Sequence, residues 1–446
     1  MDYNILTFGA VADGKTNCRE AIQAAIDACT ATGGRVVIPA GRFLSGSLRL
    51  KSQVELYLEK DAVLVSSLDP EDVIDFSKEF DDDNAATGWD GGCFLFAMHE
   101  KDITIAGPGT IDGQGRKVFY DGDLDGGWHE CPLQVKSFRP RTTFLEDVEN
   151  LTVKDVTFYD AAFWTLHMAG CRNVLVENIQ IRNNDRGPNN DGIDPDCCKH
   201  VRVRNCNVYA GDDAIVVKAT KPMWEKYGSC EDVLIEGCVL HSRDSALKIG
   251  TETWGDIRNI ELKNCEVHDS NRTVGIWVRD GGTVENIHVH HVTGNNLRYA
   301  DGAQYKEAPL WWGKGEPLFL SATRRAGVDH TPGKIRNITF SHLDLTAESC
   351  IFLGGEAEAE IEDIRLEDVN ITWKQQSKHK PDVFDEQPSV RNVYPHEIPC
   401  LYARHVRGLS VRGSFTVDAS LKDTLRQWEI LEDCTGCSIE VEKNRG

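Results

Sequence analysis

Read for its apolar and polar positions, most of this chain repeats one short pattern: apolar-x-apolar-x-turn-apolar-x-apolar. It occurs as LTVKDVTF from Leu151, VLVENIQI from Val174, VRVRNCNV from Val201, VLIEGCVL from Val233 and IELKNCEV from Ile260. IHVHHVTG from Ile287, which lacks the last apolar position, ITFSHLDL from Ile338 and IRLEDVNI from Ile364 continue it. Successive starts lie 23, 27, 32, 27, 27, 51 and 26 residues apart, with weaker copies near Val54, Ile103 and Leu409. The 51-residue step is about two periods, so a coil there is disguised or replaced by a long loop.

Strict alternation of this kind predicts two short strands per copy. Asp155, Asn178, Asn205, Gly237, Asn264, His291, His342 and Asp368 stand between them as turn residues. One copy cannot bury its apolar face alone, so the copies stack on a shared core. Leucine-rich repeats need a leucine-and-asparagine frame, ankyrin and tetratricopeptide arrays need helices, and a propeller blade needs a longer period. The pattern therefore predicts an all-β chain, a parallel β-helix. A third strand per coil is read in GIDPD, AIVVK, ALKIG and GIWVR. Alternation sends Ile193, Ile215, Leu247 and Ile276 inward. Asp194, Val216, Lys248 and Trp277 then face outward, as do Asp196, Lys218, Gly250 and Arg279.

One segment breaks the strand pattern. Ala21, Ile22, Ala25, Ile26 and Cys29 form a helical stripe, Asn17 and Glu20 have capping-box spacing, and Gly33–Gly34 end the segment. A lone helix before a run of strands reads as a cap over one end of the solenoid. The expected organisation is a single domain over 1–446: the cap and first strands at 1–50, the coils with their working face at 51–375, and an irregular loop with the last coils at 376–446.

The 446 residues include 71 Asp+Glu against 49 Lys+Arg, a net charge of −22, which argues against nucleic acid and anionic membranes as partners. The opening, MDYNILTFGAVADGK, has no basic segment followed by an apolar stretch. Cys206, Cys238 and Cys265 fall on apolar strand positions and read as small buried hydrophobes. The expected location is the cytoplasm.

Candidate chemistry lies at the loop before the third strand. Asp191, in PNNDGIDPD, and Asp212 and Asp213, in AGDDAIVVK, are 21 to 22 residues apart, about one turn of the solenoid. Neighbouring coils lie about 4.8 Å apart, so three carboxyl groups share one place. Crowded carboxylates raise at least one pKa, and glycoside hydrolysis needs one carboxyl as acid and another to activate water or attack. Two other readings fit the same residues: turn-forming aspartates and calcium ligands.

NNDGID followed by GDDAI resembles the polygalacturonase family, glycoside hydrolase family 28, and the opening FGAVADGKTNCREAIQAAIDA…GGRVVIPAGRF resembles that family and the wider pectin-lyase-like group. The resemblance covers roughly residues 5–370. It implies the right-handed form of the β-helix, Asp212 as general acid, Asp191 and Asp213 holding and deprotonating the attacking water, inversion at the anomeric centre, and no metal or organic cofactor.

Two departures stand out. Where the family carries Gly-His-Gly before Ser-Ile-Gly, this chain reads RDSALKIGTE, with Ser245 in the histidine's place and Lys248 in the serine's. Where the family carries Arg-Ile-Lys, it reads GIWVRDGG, with Trp277 and Arg279 at the cationic positions. Trp277 is a candidate to stack on a sugar, or else an aromatic cover for the next coil. Lys248 and Arg279 are candidates to grip a carboxylate or hydroxyls, or else paired surface charges. Asn189 joins the substrate-binding candidates, as do Trp312 and Glu316 in PLWWGKGEPLFL, a stretch that either walls the cleft or closes the side of the coil. His288, His290 and His291 lack a third ligand for zinc. The expected function is a glycosidase acting on uronate-containing, pectin-derived oligosaccharides. The alternatives are a lyase, with Lys248 or Arg279 as base, and a non-catalytic carbohydrate-binding solenoid.

Overall fold

The computed structural model describes all residues except 75–91, 122–131, 137, 300–313, 326–328, 330, 380–383, 387–392 and 395–396. The chain folds as a right-handed parallel β-helix. Strands of successive coils pair in parallel and in register: Leu151, Val174, Val201, Val233, Ile260, Ile287, Ile338 and Ile364 form one continuous inward row. Each of these residues is buried in a single apolar core that runs the length of the coil.

The turn residues explain how each coil bends. Asp155, Asn178, Asn205, Gly237, Asn264, His291, His342 and Asp368 all have φ between 52° and 64°, the left-handed region. Asn and Asp tolerate this conformation because the short side chain hydrogen-bonds locally. A second left-handed column, Asp102, Asn150, Asn173, Asn259, Asn286 and Asn337, was not read from the sequence. Its side chains bond from coil to coil, Asn150 Nδ2 to Asp102 Oδ1 at 2.9 Å and Asn337 Nδ2 to Asn286 Oδ1 at 2.7 Å. A β-branched residue here meets the full left-handed penalty. Asn264→Val (φ 52°) is expected to lower stability by roughly 1–2 kcal/mol, read as a shift in the denaturant midpoint at unchanged slope.

The 51-residue step between Ile287 and Ile338 is one coil, not two. Thr283–Asn296 pairs directly with Lys334–Ala347, so the extra length is an excursion from a single turn. The helix spans Arg19–Thr30 and lies against Asp2–Asn4, Gly34–Ile38 and Leu48–Arg49. Its start differs from expectation: Cys18 is the cap residue, Asn17 Oδ1 accepts from the Arg19 N–H at 3.0 Å, and the Glu20 side chain is exposed rather than closing a capping box. Much of the irregular segment expected from 376 lies outside the described residues.

A separate 12-stranded parallel sheet forms one face of the described coil and carries the third strand of each turn. Ile193, Ile215, Leu247, Val274 and Leu318 stack inward on it. Ile276 points inward as expected, and the register pairs Leu247 with Val274, so Gly275 lies beside Lys248 and Trp277 pairs with Ser321.

Candidate active site

Asp191 lies just before the strand Ile193–Asp196, and Asp212 and Asp213 just before Ile215–Ala219. The Asp213 carbonyl accepts from the Gly192 N–H at 2.9 Å, which locks the two loops one coil apart. One carboxylate oxygen of each aspartate lies within 4.8 Å of the other two, and all three are nearly enclosed, at 2 %, 8 % and 2 % exposure for Asp191, Asp212 and Asp213.

Backbone and side-chain bonds fix this geometry. Asn189, left-handed at φ 53°, donates its N–H to Asp212 Oδ2 at 3.1 Å, and Arg139 donates to Asn189 Oδ1 at 2.8 Å. Asn189 thus reaches the site through its backbone. The fully buried Asn190 accepts the N–H groups of Gly211 and Asp212 at 2.9 and 3.1 Å. Ser242 Oγ donates to the Asp212 carbonyl at 2.6 Å. Asn190 and Ser242 went unnoticed in the sequence; the only signal for Asn190 is its place before Asp191.

Two ammonium groups enter the cluster. Lys218 Nζ lies 3.2 Å from Asp191 and 3.4 Å from Asp194, over the Trp164 ring at 4.0 Å. Lys248 Nζ lies 2.9 Å from Asp213 and 3.2 Å from Asp244. Alternation sends Lys218 to the outward face, and the register, pairing it with Asp196, brings it into the site.

Burial, and then the charge of Asp191, raise the Asp212 carboxyl to about 7, against the pull of Lys248. Asp213 is likewise pushed up by burial, with Lys248 opposing. Asp244 is held low: burial pushes it up, but Lys248 and Arg272 outweigh that. The cluster is an oxygen set of the kind that suits hard cations. Here the ammonium groups at 2.9 and 3.2 Å already supply the positive charge.

Several substrate-binding expectations need correction. Trp277 is 1 % exposed, stacked on Phe319 with centroids 4.7 Å apart. Its ring folds back over Gly275, where an added Cβ would come within 2.2 Å of Cζ3, so a glycine is what makes room for it. It offers no open face to a sugar. Arg279 is 0 % exposed and donates to the Ser321 carbonyl at 3.0 Å and to Ser321 Oγ at 3.2 Å; burial lowers its guanidinium to about 9, with Glu386 opposing. Glu316 is also buried, its Oε2 3.3 Å from Arg272 Nε. It acts on the cluster at a distance, through Arg272, which donates to Asp244 at 2.7 Å. Trp312 lies outside the described residues.

The sequence model of glycosyl hydrolases family 28 matches residues 30–386. The chain belongs to this family. Among family 28 relatives, it is 32% identical over 235 residues to a probable polygalacturonase of Vitis vinifera, covering 50% of this chain and 45% of that protein. It is 28% identical over 236 residues to rhamnogalacturonase A of Aspergillus niger, covering 52% and 43%. The chain thus spans about half the length of the curated relatives it matches. The solved family 28 exopolygalacturonase of Yersinia enterocolitica superposes with a TM-score of 0.72 at 19% identity, covering 99% of this chain and 79% of that one, and shares the fold.

Proposed function

We propose that the protein hydrolyses glycosidic bonds in pectin-derived, uronate-containing oligosaccharides, with Asp212 as general acid and Asp191 and Asp213 activating the water. The observation that carries this reading is the trio of nearly enclosed aspartates within 4.8 Å, one of them raised to about 7. A carboxyl that keeps its proton near neutrality can donate it to a leaving oxygen. Asp191 Oδ1 and Asp213 Oδ1 have no hydrogen-bond partner among the described residues, which leaves each an acceptor for a reacting water. The pectic substrate class is supported by the polygalacturonase and rhamnogalacturonase relatives. A reducing compartment is proposed as well, since thiols such as Cys206, Cys238 and Cys265 are free and buried in the coils.

The lyase alternative asks Lys248 or Arg279 to act as the base. Lys248 is held as an ammonium by Asp213 and Asp244, and Arg279 is fully enclosed, donating to the Ser321 carbonyl rather than facing the aspartates.

Proton NMR on a panel of oligogalacturonides and rhamnogalacturonan fragments, with and without chelator, tests the proposal. The expected product is a new reducing end of inverted configuration, formed at the same rate with chelator present. The close spacing of the carboxyl oxygens makes the anomer informative, because retaining pairs sit at about 5–5.5 Å and inverting pairs at about 6.5–9.5 Å. A retained anomer reassigns one aspartate as a nucleophile. A vinylic proton refutes hydrolysis altogether.

A further inference from the structure

The three aspartates are chemically alike, yet hydrolysis needs them in two different states. What separates them here is their contact with cations. Asp191 has Lys218 at 3.2 Å and Asp213 has Lys248 at 2.9 Å. Among the described residues no lysine or arginine lies within ion-pair distance of Asp212, whose oxygens accept the backbone N–H groups of Asn189 and Asp213. We propose that Lys218 and Lys248 are positioning residues that divide the labour. Each ammonium lies against one aspartate and opposes the burial that would keep it protonated, as Lys248 does for Asp213. The paired aspartates are thus the ones biased towards the anion that binds the attacking water, and the aspartate left without an ammonium carries the proton.

The inference rests on the hydrolase reading and deepens it. Ser245, which stands where the resemblance places a histidine, is fully buried, and its hydroxyl donates to Asp244 Oδ1 at 3.1 Å. It serves the lysine's partner rather than the reacting groups. Lys248 itself is held at the end of a chain of alternating charge: Glu316 to Arg272 at 3.3 Å, Arg272 to Asp244 at 2.7 Å, Asp244 to Lys248 at 3.2 Å, and Lys248 to Asp213 at 2.9 Å. This chain joins four coils, so Lys248 is tied on both sides to side chains anchored in different turns. Lys218 is held from three sides, by Asp194 at 3.4 Å, by Glu252 at 3.9 Å and by the face of Trp164.

The charged groups facing Lys248 are Asp212 and Asp213 from the preceding coil and Asp244 from its own, which Arg272 of the next coil also holds; Glu252 interacts with Lys248 and Lys218, and Asp191 acts on Asp213. Both lysines stay cationic despite burial, because the surrounding carboxylates outweigh the desolvation that opposes them. Removing either charge leaves one aspartate facing two like neighbours. It takes up a proton and stops serving as a base.

The test compares Lys248→Met, Lys218→Met and Lys248→Arg with wild type, following kcat and KM on an oligogalacturonide from acid to alkaline pH, with thermal melts to confirm folding. Either methionine variant is expected to lose kcat with little change in KM. Its acid limb moves up by about one pH unit or more. Lys248→Arg restores the limb by keeping the charge. A methionine variant that loses activity equally at every pH, or only in proportion to its folded fraction, overturns the inference. A second readout needs no turnover: carbon NMR titration of protein labelled at the aspartate carboxyl carbons. One carboxyl signal is expected to titrate at higher pH in each methionine variant, and an unchanged titration refutes the role. If wild type turns over no sugar at all while the titration shifts, the hydrolase reading fails and the charge division stands.

Discussion

Asp212→Asn is expected to leave the coil folded and to cut kcat by about 10²–10⁴-fold, the usual contribution of a general acid, with KM little changed. The amide matches the carboxyl in size and keeps one oxygen to accept from Asn189 or Asp213, whose N–H groups lie 3.1 and 3.0 Å away. What it lacks is a proton to give to the leaving oxygen. The pH dependence carries the same message. With its carboxyl raised from 3.8 to about 7, Asp212 is protonated below neutrality and loses its proton above, so wild-type kcat falls as pH rises through about 7. The residual activity of the variant is flat through that window. Stability moves in the same direction. A folded pKa above the unfolded one contributes stability that is complete below about 4 and lost as pH climbs towards 7; the asparagine variant lacks that slope. Steady-state kinetics and thermal melts across pH check both outcomes. Retention of activity within a few-fold would move the acid to another residue.

Trp277→Ala is expected to cost about 3–5 kcal/mol of stability, as for other fully buried large aromatics. The ring is 1 % exposed, stacks on Phe319, and lies 4.9 Å from the Arg272 guanidinium and 5.1 Å from Lys248 Nζ. Deleting it opens a cavity over Gly275 and takes the aromatic face away from both cations. The damage therefore extends to the charge chain that holds Asp213, and turnover falls with stability. Trp277→Phe retains most of the packing and is expected to recover most of both. Equilibrium denaturation gives the number. A loss under about 1 kcal/mol, far below the large-to-small range for buried aromatics, together with a raised KM, would mean that the ring serves substrate rather than the core.

The fold was legible because its signals are local and repeated. Alternation at Val174, Val176, Ile179 and Ile181 recurs coil after coil, and all four are buried. The aspartate cluster was legible because a stacking period converts sequence offset into distance: 21 to 22 residues between Asp191 and Asp212–Asp213 became contact. The surroundings were less so. Which charge meets which depends on rotamers and register that alternation does not specify. Lys248 and Arg279 look alike as outward cations, yet one touches the aspartates and the other is enclosed against Ser321. Trp277 looked like a sugar platform because nothing in GIWVR shows that its ring turns back over Gly275. Asn190 and Ser242 act on backbone atoms of another coil, and such contacts leave no mark on the composition of either segment.

The coil between Ile287 and Ile338 shows how the solenoid takes in a long insertion without losing its register. Its long excursion leaves Asn286 and Asn337 bonded at 2.7 Å and the strands on either side in register. Closing a loop twice as long costs only about 0.6 kcal/mol. Additions at this corner are cheap, whereas a one-residue slip inside a strand would turn a whole face inside out. The solenoid therefore works as a chassis with exchangeable bodywork: selection can lengthen, trim or rewrite a corner while the stacked strands that carry the aspartates and their lysines stay bolted in place.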